Sequence, residues 1–581
     1  MKSADWLTRF GAALEKGDIN AAAGMFEPGG YWRDLVSFTW NVKTCEGHAE
    51  IKAMLAAQLA GVKPKNFQAQ TDEWFTFETA VGRGVGHLRL RGKHCFTLLT
   101  TLQELKGFEE KAGVHRESGV SQGKTWYEKR EQHVAELGVL HQPYVLIVGG
   151  GQGGIALAAR LKRLQVPTLV VEKNERAGDS WRKRYRSLCL HDPVWYDHMP
   201  YLPFPDHWPV FSPKDKIADW LEMYARVMEL DYWGSTLCKR ARYDEAAGEW
   251  EVLVIHDGQP HTLRPKHLVL ATGMSGFPNM PAVEGVESFE RSGRTIVHSS
   301  QYGGGASWKG KQCVVVGAGT SGHDICADLA EQGAEQVTMI QRAPTIVARS
   351  ETLMDLAWGP LYSEQALARG ITTEIADLTV ASVPFKVLPE MQRPVYADMR
   401  KRDAELYAGL EKAGFQYTFG EDGSGIHTLY LRRGAGYYIE TGASQMIIDG
   451  KIKLKSGVSL ERITEKSVIL SGGTELPADL IVFATGYGSM NHWARELISN
   501  AVADKVGKVW GLGSATKDDP GPWVGELRNM WKPTQQPNLW FHGGNLMQSR
   551  HYSLYLALQL KARMEQIPTP VYYLEPVHHL Q

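Results

Sequence analysis

Hydrophobic and polar positions along this chain follow two different patterns, and the change falls near residue 113. In the first part, apolar residues recur at helical spacing over 5–16 and over about 49–59, with a short helix in between that ends near residue 26. Strand-like alternation is predicted in four runs, 35–40, 67–77, 79–91 and 94–106. Helices combined with a curled antiparallel sheet indicate an α+β cone over residues 1–112.

A polar and charged stretch over 113–142 follows, and its composition predicts a long linker that wraps onto the next domain. Beyond about residue 143, short uninterrupted apolar runs alternate with alanine-rich helical stretches. Runs of this kind are typical of strands that are covered on both faces in parallel βαβ units. We therefore expect a different fold class in this part of the chain.

Two glycine-rich loops each lie between such a strand and such a helix. Strand 144–148 runs into the sequence GGGQGG, and strand 313–316 runs into GAGTSG. In loops of this kind the first glycine makes a tight turn, the second lets the backbone approach a pyrophosphate, and the third lets helix and strand pack closely. The positions concerned are Gly149, Gly151 and Gly154 in the first loop and Gly317, Gly319 and Gly322 in the second. Two such loops predict two bound dinucleotides between which electrons pass.

The residues that end the second strand of each βαβ unit differ in charge. The first of these strands ends in Glu172, and a glutamate there can bind both ribose hydroxyls of an adenosine. The corresponding strand of the second unit runs into Gln341 and Arg342, without an acid. A carboxylate would repel a 2′-phosphate, whereas an arginine can bind one through two hydrogen bonds. The first site is therefore predicted to hold FAD and the second to prefer NADPH, with NADH possible but weaker.

Both units return to a strand that ends in Ala-Thr-Gly, at 271–273 and at 484–486. Small residues let the chain cross close to a bound cofactor, and such crossings are natural hinges. The predicted fold class is α/β, with two Rossmann-like domains after an N-terminal α+β domain. The expected boundaries are 1–112 for the N-terminal domain, 113–142 for the linker, 143–274 and 485–581 for the FAD domain, and 275–484 for the inserted NADP domain. A helical insert over about 350–440 is expected to roof a substrate pocket.

Composition and charge exclude several classes of partner. Of the 581 residues, 43% are hydrophobic and 22% are charged, and the formal net charge is −1, so neither nucleic acid nor an anionic membrane is expected. The chain has no run of about 18 apolar residues that would predict a transmembrane helix, and its N-terminus shows no apolar signal core. The six cysteines form no CxxC, which favours reduced thiols, a cytoplasmic location and no metal site.

From about residue 143 to residue 560, the chain resembles the class B flavoprotein monooxygenases, and among them the flavin-containing monooxygenases. Plant YUCCA-type enzymes and bacterial type II enzymes with an N-terminal extension are near relatives. Besides both loops, the resemblance rests on four segments, 178–181 (GDSW), 322–325 (GHDI), 341–344 (QRAP) and 479–487 (DLIVFATGY). The family motif FxGxxxHxxxY is stretched in its front half, while the half from His298 to Tyr302 is intact. The N-terminal part resembles NTF2-like or SnoaL-like domains in its helix–Gly-Asp–helix opening and in segment 31–34 (YWRD).

The resemblance implies an NADPH-dependent FAD monooxygenase in which reduced flavin and O2 form a C4a-(hydro)peroxyflavin. This adduct would oxygenate a small organic substrate, by S- or N-oxygenation or a related reaction, while NADP⁺ stays bound. The expected FAD-binding residues, beyond the glycines of the first loop, are Glu172, Lys173, Trp181, His191, Gly486, Asn545 and Gln548. The expected NADP-binding residues, beyond the glycines of the second loop, are Thr272, Ser321, Gln341, Arg342 and Thr485.

Two side chains are candidates for a catalytic role. His191 lies in the stretch that passes along the flavin in the family, where animal-type enzymes have an asparagine and YUCCA-type enzymes show the histidine pattern. It could hydrogen-bond the flavin or the peroxide, or it could be a packing histidine. Arg349 could be the arginine that stabilises the peroxyflavin in Baeyer–Villiger enzymes. His298 is expected to orient the interdomain linker.

Other functions stay open as alternatives. Baeyer–Villiger oxygenation of ketones is the runner-up, although Tyr302 stands where those enzymes have a tryptophan. A pyridine-nucleotide disulfide reductase would need the CxxC that this chain lacks, and an uncoupled NADPH oxidase would form no flavin adduct. The N-terminal domain is expected to be structural or to form a homodimer, with a ligand-binding sensor as the alternative. The expected partner of the enzyme is a small molecule.

Overall fold

The structure, a computed structural model, describes residues 2–117, 119, 123–513 and 525–577. At the N-terminus, three helices and a six-stranded sheet share one aromatic core. The elements are α1 (Ser3–Glu15), α2 (Ile19–Gly24), β1 (Phe26–Leu35), β2 (Val42–Glu46), α3 (Gly47–Val62), β3 (Lys65–Ala69), β4 (Trp74–Glu78), β5 (Gly82–Arg91) and β6 (His94–Leu105). The strand order is β2-β1-β6-β5-β4-β3, and only the pair β1–β6 is parallel among these neighbours.

The strand expected over 35–40 is wrong. β1 ends at the first residue of this run, and the chain then turns, with Val36 at φ +73°. The carboxylate of Asp34 accepts hydrogen bonds from the backbone amides of Phe38 (3.0 Å) and Thr39 (2.8 Å). The alternation of apolar and polar residues imitated a strand, but local bonding between a short aspartate side chain and the backbone favours the turn.

The linker contains a helix that the sequence did not predict, α4 (Trp126–Glu136). Thr125 and Glu128 form a reciprocal capping box at its start. None of its residues is buried, and it is held against the next domain by ion pairs from Arg130 and His133 to Asp231, at 2.5 and 2.9 Å. Because the helix buries no apolar stripe, its sequence shows no helical hydrophobic period.

The first nucleotide domain combines a parallel five-stranded sheet with a three-stranded antiparallel sheet. Its elements are β7 (Val145–Val148), α5 (Gln152–Arg163), β8 (Thr168–Val171), α6 (Asp179–Arg182), α7 (Lys214–Val227), β9 (Tyr232–Trp233), β10 (Thr236–Asp244), β11 (Glu249–His256), β12 (Gln259–Leu263) and β13 (His267–Leu270), joined by α17 (Asn491–Leu497), α18 (Asn500–Val506), β27 (Leu539–Phe541) and α19 (Leu546–Met564) from the C-terminal part. The parallel sheet has the order β27-β13-β7-β8-β9. Its four longer strands are wholly buried, as expected for a sheet covered on both faces.

The second nucleotide domain repeats this plan between two connections. Its elements are β14 (Ser275–Pro278), α8 (Val286–Arg291), β15 (Thr295–His298), β16 (Gln312–Val316), α9 (Thr320–Glu331), β17 (Gln336–Gln341), β18 (Thr345–Arg349), α10 (Ser350–Leu353), α11 (Glu364–Ala368), α12 (Thr373–Ala381), α13 (Leu388–Arg402), α14 (Ala404–Lys412), β19 (Tyr417–Thr418), α15 (Gly425–Arg433), β20 (Tyr437–Glu440), α16 (Ala443–Ile448), β21 (Ile452–Ser456), β22 (Leu460–Ile463), β23 (Ser467–Leu470), β24 (Glu475–Pro477), β25 (Leu480–Phe483) and β26 (Tyr487–Ser489). The parallel sheet has the order β15-β25-β16-β17-β21. The connections run side by side, because β14 pairs with β26.

Most of the helices from α10 to α15 pack against the first domain, whereas α14 packs against the second. A single π-helical turn, Met354–Trp358, follows α10, and residues of α10, α12, α13 and α15 share an aromatic core with the first domain. Trp358, Tyr362 and Tyr396 of this segment belong to the same core cluster as Tyr196 and Met547. Within the described part of the chain, no helix combines the length and apolar character needed to cross a membrane.

Candidate active site between two dinucleotide loops

The first glycine loop leaves open space at one of its three glycines. Gly149 has φ +110°, and a Cβ there would lie 2.4 Å from the Ala271 carbonyl oxygen. A Cβ on Gly154 would lie 2.0 Å from the Gly149 carbonyl oxygen, so both positions need glycine. At Gly151 the nearest atom to such a Cβ is the Ser180 Oγ, at 3.7 Å. The open side of the loop, beside the amide groups at the start of α5, is therefore the side that a pyrophosphate can approach.

Glu172 closes the same loop from the end of β8. It is 8% exposed, and one carboxylate oxygen accepts a hydrogen bond from the Gly150 amide at 2.8 Å. The other oxygen accepts from the backbone and side-chain nitrogens of Asn174, at 2.9 and 2.7 Å. A carboxylate offers about four acceptor positions, so capacity is left for a ribose hydroxyl. Lys173, next to it, is exposed.

The second loop has the same geometry. Gly317 has φ +125°, and a Cβ there would lie 2.3 Å from the Ala484 carbonyl oxygen. A Cβ on Gly322 would lie 2.2 Å from the Gly317 carbonyl oxygen, whereas one on Gly319 would meet only the Tyr437 carbonyl oxygen, at 3.8 Å. The open side of this loop is at Gly319, which stands directly before α9.

A cavity of about 810 Å³ lies between the two domains. The second domain contributes Gly319, Ser321 and Arg342 to its wall, and the first contributes Trp181 and His191. This volume lies within the range of pockets that take cofactors and small ligands. Residues that are far apart in sequence thus share one space.

The two residues that end β17 have different roles. Gln341 is fully buried, and its side-chain amide makes two hydrogen bonds to the backbone of Gln416, donating at 2.8 Å and accepting at 2.9 Å. The Gln341 amide thus joins two segments of the protein and does not line the cavity, and its predicted contact with the coenzyme stays a prediction. Arg342 is exposed and lines the cavity.

The two Ala-Thr-Gly crossings also differ. Thr485 lines the cavity, and its hydroxyl donates to the Asn279 carbonyl at 2.5 Å. Thr272 lies at the end of the first domain's strand β13, and its hydroxyl is buried without a hydrogen-bond partner among the described residues. The carbonyl of Gly486, which also lines the cavity, accepts a hydrogen bond from His298 Nε2 at 2.9 Å. His298 thus holds the second crossing, and burial lowers the pKa of its imidazole.

The turn before α19 faces the start of α5. Gln152 donates a hydrogen bond to the Gly544 carbonyl at 3.3 Å, and a Cβ on Gly153 would lie 3.2 Å from Gly543 Cα. Asn545 and Gln548 form a capping box, in which the Asn545 side chain accepts from the Gln548 amide at 2.9 Å. Both of these side chains, predicted to bind FAD, build the start of the helix. It is the backbone of the turn that borders the first loop.

Trp181 and His191 lie on the cavity wall of the first domain. The indole of Trp181 donates a hydrogen bond to the Gln152 side chain at 3.3 Å, which fixes it beside α5. The ring of His191 is half-buried and lies 6.0 Å from the Tyr437 ring, almost perpendicular to it. His191 therefore lies where it can contact a ligand held by either domain.

The structure does not bring Arg349 to the cavity. Its side chain is 44% exposed, and Nε lies 3.8 Å from a carboxylate oxygen of Asp403. The cavity wall on this side is formed by residues earlier in the segment, among them Arg342 and Pro344. The proposed peroxyflavin-stabilising role of Arg349 therefore has no support in this geometry.

Sequence reasoning missed a buried polar cluster beneath the helical insert. Arg550 on α19 binds both carboxylate oxygens of Asp377 at 2.8 Å, and it also donates to the backbone carbonyl of Tyr196 at 2.8 Å. Both carboxylate oxygens of Asp197 are buried without a hydrogen-bond partner among the described residues, and burial raises the pKa of Asp197 well above its usual range. The clustered acids and histidines of 191–198 were the available signal.

A contact between the domains was also not predicted. The hydroxyl of Tyr185, in the first domain, donates to a carboxylate oxygen of Asp324 on α9 at 2.6 Å. Burial raises the pKa of both groups. This hydrogen bond joins the two domains beside the cavity, whose wall includes Tyr185.

Comparisons with known proteins agree with this architecture. A family model described as pyridine nucleotide-disulphide oxidoreductase matches residues 143–377. The chain is 28% identical over 356 residues to the probable indole-3-pyruvate monooxygenase YUCCA10 of Arabidopsis thaliana, which covers 61% of this chain and 84% of that protein. It is 27% identical over 370 residues to the indole-3-pyruvate monooxygenase YUCCA1 of Oryza sativa subsp. japonica, with coverages of 63% and 82%.

Solved structures show a related fold. The open crystal structure of cyclohexanone monooxygenase superposes with a TM-score of 0.51 at 16% identity, over 73% of this chain and 88% of that chain. The complex of OTEMO with FAD and NADP gives a TM-score of 0.50 at 18% identity, over 74% and 86%. At such identities the likeness concerns the fold alone, which fits two Rossmann-like domains.

Proposed function

We propose that this chain is a class B flavoprotein monooxygenase, as its similarity to indole-3-pyruvate monooxygenases supports, and that it binds FAD at its first glycine loop and NADPH at its second, and uses O2 to oxygenate a small organic substrate. The observation that carries the proposal is the cavity of about 810 Å³ that both domains line. Chemistry between two cofactors needs a shared space of this kind.

The first site fits FAD. Gly151 leaves the approach to the loop open, and the amides at the start of α5 favour a pyrophosphate there. Glu172 is fixed at the ribose end of the site by its hydrogen bonds to Gly150 and Asn174. When FAD is bound and reduced by NADPH, it supplies one oxygen atom of O2 to the substrate while the other leaves as water.

The second site fits NADPH. Gly319 leaves its loop open, and Ser321 on the first turn of α9 lines the cavity with it. Arg342 supplies a positive charge at the end of β17, where the 2′-phosphate would lie. The Tyr185–Asp324 hydrogen bond joins the two domains beside the cavity. The aromatic residues that the helical insert packs against the first domain would help to keep water from a cofactor bound there.

His191 is the side chain that we assign to hydrogen bonding at the reacting end of the cavity. It is half-buried, and it shares the cavity wall with Trp181 and with the second loop. The imidazole can donate a hydrogen bond from one nitrogen and accept one at the other. It can thus donate a hydrogen bond to a bound group or accept one from it.

For the substrate, we propose an aromatic 2-oxo acid first. The sequence relatives carry the name indole-3-pyruvate monooxygenase, at 27–28% identity. Baeyer–Villiger oxygenation of a cyclic ketone is the second candidate, because the fold also superposes on cyclohexanone monooxygenase. The exposed position of Arg349, paired with Asp403, favours the first candidate.

The proposal is tested with the purified full-length protein, NADPH and ¹⁸O2. Indole-3-pyruvate, cyclohexanone, a thioether and a tertiary amine are compared, and each product is analysed by mass spectrometry. We expect the protein to purify with FAD and to place one ¹⁸O atom in the product of the 2-oxo acid. If NADPH is consumed with every compound and only hydrogen peroxide forms, the protein is an NADPH oxidase.

For the N-terminal domain we propose an NTF2-like or SnoaL-like fold with a structural role. Its interior is filled by large side chains, among them Trp6, Phe10, Trp32 and Phe38, all of which are buried. A filled interior favours a structural domain over a ligand sensor. Formation of a homodimer stays a prediction, which the mass in solution by light scattering will test.

A further inference from the structure

One arginine of the N-terminal domain, Arg33, is buried against residues of the rest of the chain. Arg33 on β1 is fully buried, and Nε and Nη2 donate to the two carboxylate oxygens of Glu526 at 2.8 and 3.0 Å. Nη1 donates to the carbonyl of Ala381, at the end of α12, at 2.7 Å. Burial disfavours the charge of Arg33, but Glu526 and Tyr552 outweigh it and raise the pKa of the guanidinium. The desolvation cost of a buried ion pair often exceeds its benefit to stability, so this pair calls for another role.

A continuous path of contacts leads from Arg33 to the turn before α19. Arg33 Nη2 donates to the hydroxyl of Tyr552, on α19, at 2.9 Å. The ring of Tyr552 stacks on Trp531, with centroids 3.9 Å apart and planes 6° apart. The indole nitrogen of Trp531 then donates to the carbonyl oxygen of Gly543 at 3.2 Å.

The turn at the end of this path has no side chain of its own to hold it. Gly543 and Gly544 have φ values of +152° and +111°, which glycine adopts readily and other residues do not. Two glycines in sequence are also conformationally free in the absence of outside contacts. The hydrogen bond from Trp531 therefore fixes the Gly543 carbonyl, and with it the backbone that borders the first glycine loop at Gln152.

We propose that Arg33 is a positioning residue of the flavin site, and that the N-terminal domain holds the flavin-facing turn through the Tyr552–Trp531 stack. The inference rests on the proposed binding of FAD at the first loop. It gives the N-terminal domain a function beyond its own fold, because removing the contact of Arg33 changes how tightly and in what environment the flavin is bound.

Three conservative changes test the path. Trp531→Phe removes the indole donor and keeps a ring in the stack, and Tyr552→Phe removes the hydroxyl and keeps its ring. Arg33→Met combined with Glu526→Gln removes both buried charges, so that no unpaired ion is left. The readouts are the dissociation constant of FAD, the visible absorption and circular dichroism of the bound flavin, and the melting temperature of the full-length protein.

Arg89→Met is the matched control. Arg89 also leaves the N-terminal domain, and it donates to the carbonyl and the hydroxyl of Ser382 at 2.9 and 2.7 Å. These contacts do not lead to Trp531. We expect the three path variants to weaken FAD binding by about 3- to 10-fold, the effect of one lost hydrogen bond, and to shift the flavin spectrum. The control should lower the melting temperature and leave both flavin readouts unchanged.

The inference is overturned if Trp531→Phe and Tyr552→Phe bind FAD with wild-type affinity and spectrum. It is also overturned if Arg89→Met alters the flavin as much as the path variants do. If the double variant does not fold, the two single phenylalanine variants decide the matter. A wild-type protein that binds no FAD at all would overturn the proposed function, whereas normal flavin binding in every variant would overturn this inference alone.

Discussion

The two nucleotide folds of this chain share their loop geometry and differ where the second strand of each ends. In both loops the first glycine has a positive φ and lies close to the alanine carbonyl of an Ala-Thr-Gly crossing. A Cβ added to Gly149 would lie 2.4 Å from that carbonyl oxygen, and one added to Gly317 would lie 2.3 Å from its counterpart. In both, the middle glycine leaves open space. β8, however, is followed by the buried Glu172, whereas β17 is followed by the exposed Arg342.

This comparison separates two functions of a dinucleotide-binding motif, which are binding of the pyrophosphate and selection of the ribose. The glycines leave the same open approach in both folds, and we propose that a pyrophosphate binds there. The choice between a ribose hydroxyl and a 2′-phosphate depends on charge at the strand end, where a carboxylate repels a phosphate and a guanidinium binds it. We therefore expect loop changes to abolish binding of a whole cofactor, and strand-end changes to alter selectivity.

The largest expected effect comes from Gly151→Ala. Gly151 has φ −78°, and the nearest atom to an added Cβ is the Ser180 Oγ, at an ordinary contact distance of 3.7 Å, so the protein should fold. The methyl group then stands where the pyrophosphate approaches, and we expect FAD binding to weaken at least tenfold, that is by about 1.4 kcal/mol or more. Flavin content after purification and the FAD dissociation constant measure this.

Gly319→Ala is the partner variant. Gly319 has φ −88°, and its added Cβ would meet only the Tyr437 carbonyl oxygen, at an ordinary contact distance of 3.8 Å. This protein should therefore fold, keep its FAD and lose affinity for NADP⁺. Gly154→Ala is the control for misfolding, because its methyl group would lie 2.0 Å from a carbonyl oxygen. A well-folded Gly151→Ala protein with full flavin content would contradict the assignment of the first loop.

Arg342→Ala should change coenzyme selectivity by the next largest amount. Loss of a charge-assisted hydrogen bond costs about 1.5–3 kcal/mol, or roughly 10- to 150-fold in affinity for NADPH. NADH has no 2′-phosphate, so its kinetics should change little. Steady-state kinetics with both coenzymes measure the ratio. Equal losses for NADPH and NADH would show that Arg342 supports the structure and does not read the phosphate.

The local parts of this comparison could be predicted from the sequence. A glycine loop, the strand before it and the residue that ends the next strand all lie within one short segment, so spacing alone located Gly149, Glu172 and Arg342. The resemblance to class B flavoprotein monooxygenases, which depends on these segments, is confirmed by the relatives. The coarse α/β plan with two Rossmann-like domains is also confirmed.

The parts that depend on distant contacts could not be predicted. Gln341 is turned inward because the backbone of Gln416 offers it both a donor and an acceptor, and no spacing rule indicates that pairing. The Asn545 side chain caps the start of α19. A resemblance to family motifs cannot distinguish a side chain that caps a helix from one that binds a ligand. Arg33 meets Glu526 from the other end of the chain, so the segment around it indicated only a strand of its own domain.

A smaller effect is expected at the crossing between the folds, where His298 holds Gly486. Burial lowers the pKa of His298, so the unfolded chain, with a histidine pKa of about 6.5, takes up the proton first. The contribution of His298 to stability is therefore present above pH 6.5 or so, and is lost as pH falls through its lower folded pKa. His298→Gln should reduce the drop in melting temperature between neutral and mildly acidic pH. An unchanged drop would mean that His298 does not titrate with unfolding.

Arg349→Ala should have the smallest effect. It tests whether Arg349, seven residues after Arg342 in the chain, also acts at the cavity. Arg342 lines the cavity, whereas Arg349, at the end of β18, is 44% exposed and lies 3.8 Å from Asp403. Exposed ion pairs contribute little, about 0–1 kcal/mol, so kcat, product yield and melting temperature should stay close to wild type. A loss of oxygenated product with intact NADPH oxidation would restore a catalytic role for Arg349. That result would favour the Baeyer–Villiger alternative, since an arginine would then have to move from the surface to the flavin during turnover.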